Sequence, residues 1–207
     1  MAHATAGHAP AHHATNTGTD NRKLLMWFFL GSECLFFGSL IATYLIFKGD
    51  SLVGPFPHEH NGEHGILDIP LTSTSTFVLL MSSVTMVLAV YGAQHSLPKM
   101  MKLSLLATVL LGAIFLGFQA YEFREFSHEG LNLSTNIFGA TFFVMTGFHG
   151  THVAVGVIYL ASLLFASFRR SGLGPEAGFH VETAGLYWHF VDIVWIVIFT
   201  VVYLIPT

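Results

Sequence analysis

Long apolar runs broken by short polar, turn-rich stretches set the plan of this chain. The runs occupy residues 24–47, 73–93, 103–122, 137–168 and 183–205. Each is at or above the ~20 residues that an α-helix needs to cross a bilayer. The breaks between them carry the punctuation that ends helices. "GDSLVGPFPHEHNGEHGILDIP" is rich in Gly and Pro, and "QHSLPKM", "FREFSHEGLNLST" and "RRSGLGPEAGFHV" separate the later runs. The pattern predicts an all-α, polytopic membrane protein, a bundle of five transmembrane helices spanning 23–207. The fourth run is longer than a span requires. It is expected to tilt, or to extend into water at its Arg169–Arg170 end.

Composition agrees. Hydrophobic residues make up 53% of the 207 residues and charged residues 10%, against about 25% charged in soluble domains. A net charge of −4 gives no basic surface for nucleic acid. The single cysteine, Cys34, excludes an intrachain disulfide and a cysteine metal cluster, and it reads as a small apolar packing residue. Residues 1–22, "MAHATAGHAPAHHATNTGTDNR", form a polar, His-rich tail. It is expected to be disordered, because it buries too little apolar surface to offset ordering entropy. The first apolar run is too long for a signal-peptide core and no small-residue cleavage site follows it, so an uncleaved chain is expected.

Charge placement orients the bundle. Arg22, Lys23, Lys99, Lys102, Arg169 and Arg170 collect on one side, Lys48 and Arg124 on the other. The positive-inside rule then puts the N-terminus in the cytoplasm and the C-terminus outside, as an odd number of helices requires. The outer side gathers Asp50, Glu59, Glu63, Asp68, Glu125 and Glu129.

Ionisable groups at membrane depth are costly, and usually face the bundle interior. Glu33 lies nine residues into the first run, roughly 14 Å from its start at 1.5 Å per residue. With no Lys or Arg inside a span, it is expected to be a neutral acid that donates a hydrogen bond to a packed partner. His149 and His152 share one face of the fourth run, His189 and Asp192 one face of the fifth. Gln119 and Glu122 stand three apart near the outer boundary. Glu33, His149, His152, His189 and Asp192 are expected to form one inward polar network. Gln119 and Glu122 suit an outer-boundary contact with lipid or another subunit. Metal or haem ligation by the histidines is one reading, but the spacing matches no haem or zinc signature, and hydrogen-bonded packing is preferred. His189 with Asp192 reads as a local hydrogen-bonded pair. Gly112, Gly117, Gly147, Gly150 and Gly156 allow close helix approach. The hydroxyls of "TSTSTFVLLMSSVT" suit interhelical hydrogen bonds. Trp27 suits an interfacial anchor.

The stretches "WFFLGSECLFF", "LLMSSVTM", "LGFQAYEF", "TGFHGTHVAVG" and "LYWHFVDIVWIVIFTVVYL" together resemble subunit III of the haem-copper terminal oxidases. The resemblance runs from residue 22 to 207 and is to the short, five-helix bacterial form. It implies a multi-pass subunit of a proton-pumping respiratory oxidase in the bacterial plasma membrane. Such a subunit holds no haem, copper or other metal of its own, and the redox centres lie in subunits I and II. It packs on subunit I and supports assembly, phospholipid binding, proton uptake and turnover stability. A small subunit IV is implied where the seven-helix form has its first two helices. Cytochrome c is the expected donor and quinol the alternative. A b-type cytochrome using His149 or His152 with His189 is a remoter reading. Glu33 matches the family's buried carboxylate, and His149, His152, His189 and Asp192 match its polar motifs.

Overall fold

A computed structural model describes residues 20–48, 55, 67–169, 173–174 and 176–205. The His-rich tail through residue 19, most of the first loop and Arg170 lie outside the described residues. Five α-helices follow in order: α1 (Asn21–Ile46), α2 (Ile69–Gln94), α3 (Pro98–His128), α4 (Ile137–Phe168) and α5 (Ala177–Phe199), the last continuing as a π-helical turn over Thr200–Leu204. All five are long and apolar enough to cross a membrane. The helices outrun most of the apolar runs because capping residues, not hydropathy, end them. Asp20 caps α1 by accepting from the Arg22 N–H at 2.9 Å, so the helix takes in Asn21 and Arg22 of the expected tail. Asp68 caps α2 through the Leu71 N–H at 3.1 Å, with Pro70 in the first turn. Asn136 caps α4 through the Gly139 N–H at 2.7 Å. Gly130, at φ +86°, closes α3. There Leu131 N–H returns to the Phe126 carbonyl at 2.8 Å and Gly130 N–H to Ser127 at 3.3 Å, the two bonds of a Schellman cap.

Helices α2 and α3 form a tight hairpin. A Cβ at Gly92 would stand 2.7 Å from the Met101 backbone nitrogen, so only glycine lets the two helices meet so close. Helix α5 runs through the middle, against α2 and α4. Its Trp188 ring fills a notch between α3 and α4 that exists because two facing residues lack side chains. A Cβ at Gly112 or Gly156 would meet that ring at 2.7 Å or 2.9 Å. Gly117 and Gly147 have no such neighbour and make no close approach. The hydroxyls of α2 serve this core. Ser82 accepts from the Trp188 indole N–H at 2.9 Å, and Thr76 from that of Trp195 at 3.0 Å. Buried indoles need a partner, and in an apolar medium only a neighbouring helix supplies one. Trp27, by contrast, is 53% exposed near the start of α1.

Helix α1 lies at the edge, against α4 and α5. Its buried side chains are Leu30, Phe37 and Tyr44, one every seven residues, which makes a seam one residue wide. Successive helices alternate in direction, so one end of the bundle carries Arg22, Lys23, Lys99, Lys102 and Arg169. This is the basic end.

Candidate functional site

The polar residues at membrane depth fall into four separate groups, not one network. The first joins α1 to α4. Glu33 Oε2 lies 3.1 Å from His152 Nε2, with both side chains about one-fifth exposed. His152 Nδ1 is 2.7 Å from the Phe148 carbonyl one turn back. A carbonyl only accepts, so Nδ1 carries the hydrogen of that bond. In a neutral ring Nε2 is then an acceptor, and Glu33 must donate. If the ring were charged, Nε2 would donate to a carboxylate. Either way one proton sits between the two groups and the pair is neutral as a whole. That is how α1 tolerates a carboxyl at this depth. Phe37 sets its edge against His152 at 4.9 Å, and the Tyr187 hydroxyl of α5 donates to the His152 carbonyl at 3.0 Å. Three helices meet at this point.

The second group is built on His149, which has no exposed surface. Its Nε2 donates to the Val191 carbonyl of α5 at 3.2 Å. The ring stacks on Trp195 at 4.8 Å and takes the edge of Phe115 at 6.0 Å. His149 and His152 share a helix face but serve different partners.

The third group is on α5 and α2. His189 and Asp192 do not bond each other. His189 Nδ1 pairs with the Ser83 hydroxyl at 2.7 Å. Asp192 is 3% exposed, and neither carboxyl oxygen has a hydrogen-bond partner among the described residues. The Ser83 hydroxyl lies against it without reaching hydrogen-bond geometry. The expected local pair fails because Ser83, on the facing helix, offers His189 a nearly ideal bond that Asp192, one turn along the same helix, does not.

The fourth group corrects another expectation. Gln119 and Glu122 do not face lipid or a neighbouring subunit, since they are 6% and 4% exposed. Gln119 donates to the Thr146 carbonyl of α4 at 2.8 Å, in space left by Gly150, where a Cβ would come within 2.7 Å of its amide oxygen. Glu122 Oε1 pairs with the Thr72 hydroxyl of α2. That hydroxyl also lies 3.0 Å from the Asp68 carbonyl. One hydroxyl hydrogen serves one acceptor at a time, so the arrangement accommodates Glu122 as a neutral, donating acid. Three turns of extra helix beyond the apolar run carry these residues inward, where the run alone suggested a boundary.

Sequence reasoning missed the polar ties at the helix ends. At the basic end Arg22 pairs with Glu176 at 2.9 Å and Lys23 with Glu182 at 2.5 Å. At the other end Lys48 donates to the Val201 and Ile205 carbonyls at 2.9 and 2.7 Å, where the π-helical turn leaves carbonyls open. Residues more than 150 apart in sequence carry no pairing signal in a single chain.

Among the described residues no three His, Cys, Asp or Glu side chains converge as a metal site. The site residues do structural chemistry: a neutral carboxyl–imidazole pair, buried hydrogen bonds and ring stacking.

Comparison with known proteins places this arrangement. The family model described as "Cytochrome c oxidase subunit III" matches residues 5–206. The cytochrome c oxidase subunit 3 of Bacillus sp. (strain PS3) is 42% identical over 196 residues, 95% of this chain and 91% of that protein. The quinol oxidase subunit 3 of Bacillus subtilis (strain 168) is 38% identical over 206 residues, 99% of this chain and 97% of that protein. The cytochrome c oxidase subunit 3 of the same organism is 39% identical over 185 residues, 89% and 86% of the two chains. With a five-helix fold and a family match across nearly its whole length, this chain belongs to the subunit III family of haem-copper oxidases.

Proposed function

We propose that this chain is the non-redox subunit III of a proton-pumping oxidase that takes electrons from cytochrome c in a bacterial plasma membrane. It packs on subunits I and II, which hold the haem and copper, with a small subunit IV and phospholipid beside it. It sustains assembly, proton uptake and turnover stability. The observation that supports a non-redox role is how the three membrane-depth histidines are used. His149 is bonded to a backbone carbonyl and stacked on Trp195, His152 is held at both ring nitrogens, and His189 is tied to Ser83. A haem axial ligand would need one such ring turned to a shared cavity, so the b-type cytochrome reading loses its ligands. The experiment is depletion of this subunit from the purified complex. Haem content and the initial electron-transfer rate should be retained, while activity should decay faster during turnover. Loss of the haem with this chain would overturn the reading.

The relatives support both donors, since some are named cytochrome c oxidase and others quinol oxidase subunit 3. Acidic Asp68, Glu125 and Glu129 at the end opposite the basic one favour a basic protein donor. Turnover of the complex on reduced cytochrome c, but not on quinol, is expected. Activity on quinol alone would replace this donor with the other. The basic end is placed in the cytoplasm by its Lys and Arg residues. In a Cys34→Ser background, Thr5→Cys and Ile205→Cys should be labelled from opposite sides. Labelling of both from one side would refute that orientation.

A further inference from the structure

The family role leaves Asp192 without a task. It is 3% exposed, lies fifteen residues into α5, and neither carboxyl oxygen is partnered among the described residues. An ionised carboxylate in that state is not tolerated at membrane depth, so Asp192 carries a proton. The question is where that proton comes from.

Four residues of α5 answer it. Glu182, Gly185, His189 and Asp192 are spaced i, i+3, i+7 and i+10, so they line one face of the helix. That face borders a cleft of about 300 Å³ between α5 and α2, lined by Tyr91, Gln94, Glu182, Gly185 and His189 together with apolar side chains. The cleft begins at the basic end, where Glu182 is paired with Lys23 and is one-third exposed. Gly185 keeps it open, since a Cβ there would already stand 3.1 Å from Val90. At its deep end stands His189, whose Nδ1 is bonded to Ser83, and Ser83 lies against Asp192.

We propose that the α2–α5 cleft is a proton-access file that opens at the basic end and terminates at Asp192. Each hop balances. A solvent proton is taken at His189 Nε2, the Nδ1 proton passes to the Ser83 oxygen, and the Ser83 hydroxyl proton passes to the Asp192 carboxyl. The reverse sequence releases it, and no net charge is left in the apolar medium at either resting end. The other groups facing the file are the Tyr91 hydroxyl and the Gln94 amide on α2 and the Lys23–Glu182 pair at the mouth. Among the described residues no Lys or Arg stands between that mouth and Asp192. His149, on α4, bonds the Val191 carbonyl on the far side of α5 and takes no part. The file is a dead end within this chain. It holds one exchangeable proton at membrane depth and does not cross the membrane. The inference does not depend on which electron donor the complex uses.

Infrared hydrogen–deuterium exchange on the purified oxidase complex tests it. Asp192→Asn should remove one protonated-carboxyl band, and in the parent that band should shift on transfer to D₂O. His189→Phe, which breaks the relay, and Gly185→Val, which fills the cleft, should each slow the shift roughly tenfold, equivalent to about 1.4 kcal/mol of barrier. Val155→Leu, on the exposed face of α4, should leave it unchanged. A purely structural Asp192 predicts the same exchange rate in all three variants. Equal rates in His189→Phe and the parent would overturn the file, even if Gly185→Val failed to assemble. An Asp192→Asn spectrum that loses an ionised-carboxylate band instead would overturn it as well.

Discussion

Helices α1 and α5 belong to one bundle but are held by different physics. In α5 the most apolar window is 56% buried, in α1 only 11%. Helix α5 presents Trp188, Val191, Trp195 and Ile198 to three neighbours. It is fixed by shape, with Trp188 lodged against Gly112 and Gly156. Helix α1 presents a seam of three residues and is fixed by polar ties at three heights: Arg22 and Lys23 to Glu176 and Glu182, Glu33 to His152, and Lys48 to the carbonyls ending α5. In lipid no hydrophobic force separates a buried Leu from an exposed one, so packing and hydrogen bonds must hold helices together. A helix with little packing needs the hydrogen bonds. The difference teaches that a carboxyl or lysine in an apolar helix marks where that helix is short of packing, not where chemistry occurs.

That contrast can be broken most strongly at α5. Trp188→Ala should destabilise the subunit by about 3–5 kcal/mol, because it empties the notch and leaves Ser82 without its indole donor. Gly156→Val should be comparably damaging, since its Cβ would lie 2.9 Å from the Trp188 ring. Recovery of the subunit in the purified complex, and its thermal unfolding in detergent, measure both. Wild-type recovery of Trp188→Ala would show that α5 is not held by shape.

A middle-sized effect is expected at Glu33. Glu33→Gln keeps a donor for His152 Nε2 and the same reach, and should assemble with a loss under about 1 kcal/mol. Glu33→Asp is too short to span 3.1 Å and should cost roughly 1–3 kcal/mol, the penalty of an unpaired buried polar group. An apolar carbodiimide should modify Glu33 at neutral pH, and His152→Phe should change the rate of that modification. If Glu33→Asp proved as stable as Glu33→Gln, the pair would not be holding α1.

The smallest effect belongs to the exposed clamp at the basic end, where Arg22 meets Asp20 and Glu176. Their hydrogen bonds to Arg22 hold both carboxyls below the usual range. A group with a depressed folded-state pKa stabilises above its unfolded value, and that contribution fades as pH falls through the folded value. Exchange of the Asn21–Leu24 amides should therefore rise only when pH drops below the ordinary carboxyl range. It should also rise with salt at neutral pH. The Glu33 region should stay unmoved in both titrations, and fraying of residues 21–24 that ignores both pH and salt would remove the clamp from the argument.

Much of this was legible beforehand because it rests on local rules. Apolar runs of bilayer length dictate five helices. The caps Asp20, Asp68 and Asn136, and the Schellman glycine Gly130, are local chemistry. So was the expectation that Gly112 and Gly156 lie at close approaches and that the α2 hydroxyls face other helices. Burial for Gln119 and Glu122 was not legible. Hydropathy ends near residue 122, whereas α3 runs on to His128, and only the neighbouring α2 and α4 turn those side chains inward.

The sequence by itself therefore determined the number of helices, their rough extent, and which polar residues would need a partner at membrane depth. It did so because length, hydropathy and the cost of a buried polar group are properties of each segment alone. The tertiary structure decided who those partners are: His152 for Glu33, Ser83 rather than Asp192 for His189, Val191 for His149, Thr72 for Glu122. A hydrogen bond is a matter of ångströms and angles, and helix rotation and height, set by how Trp188 and the glycines pack, place each group beside one partner and out of reach of another.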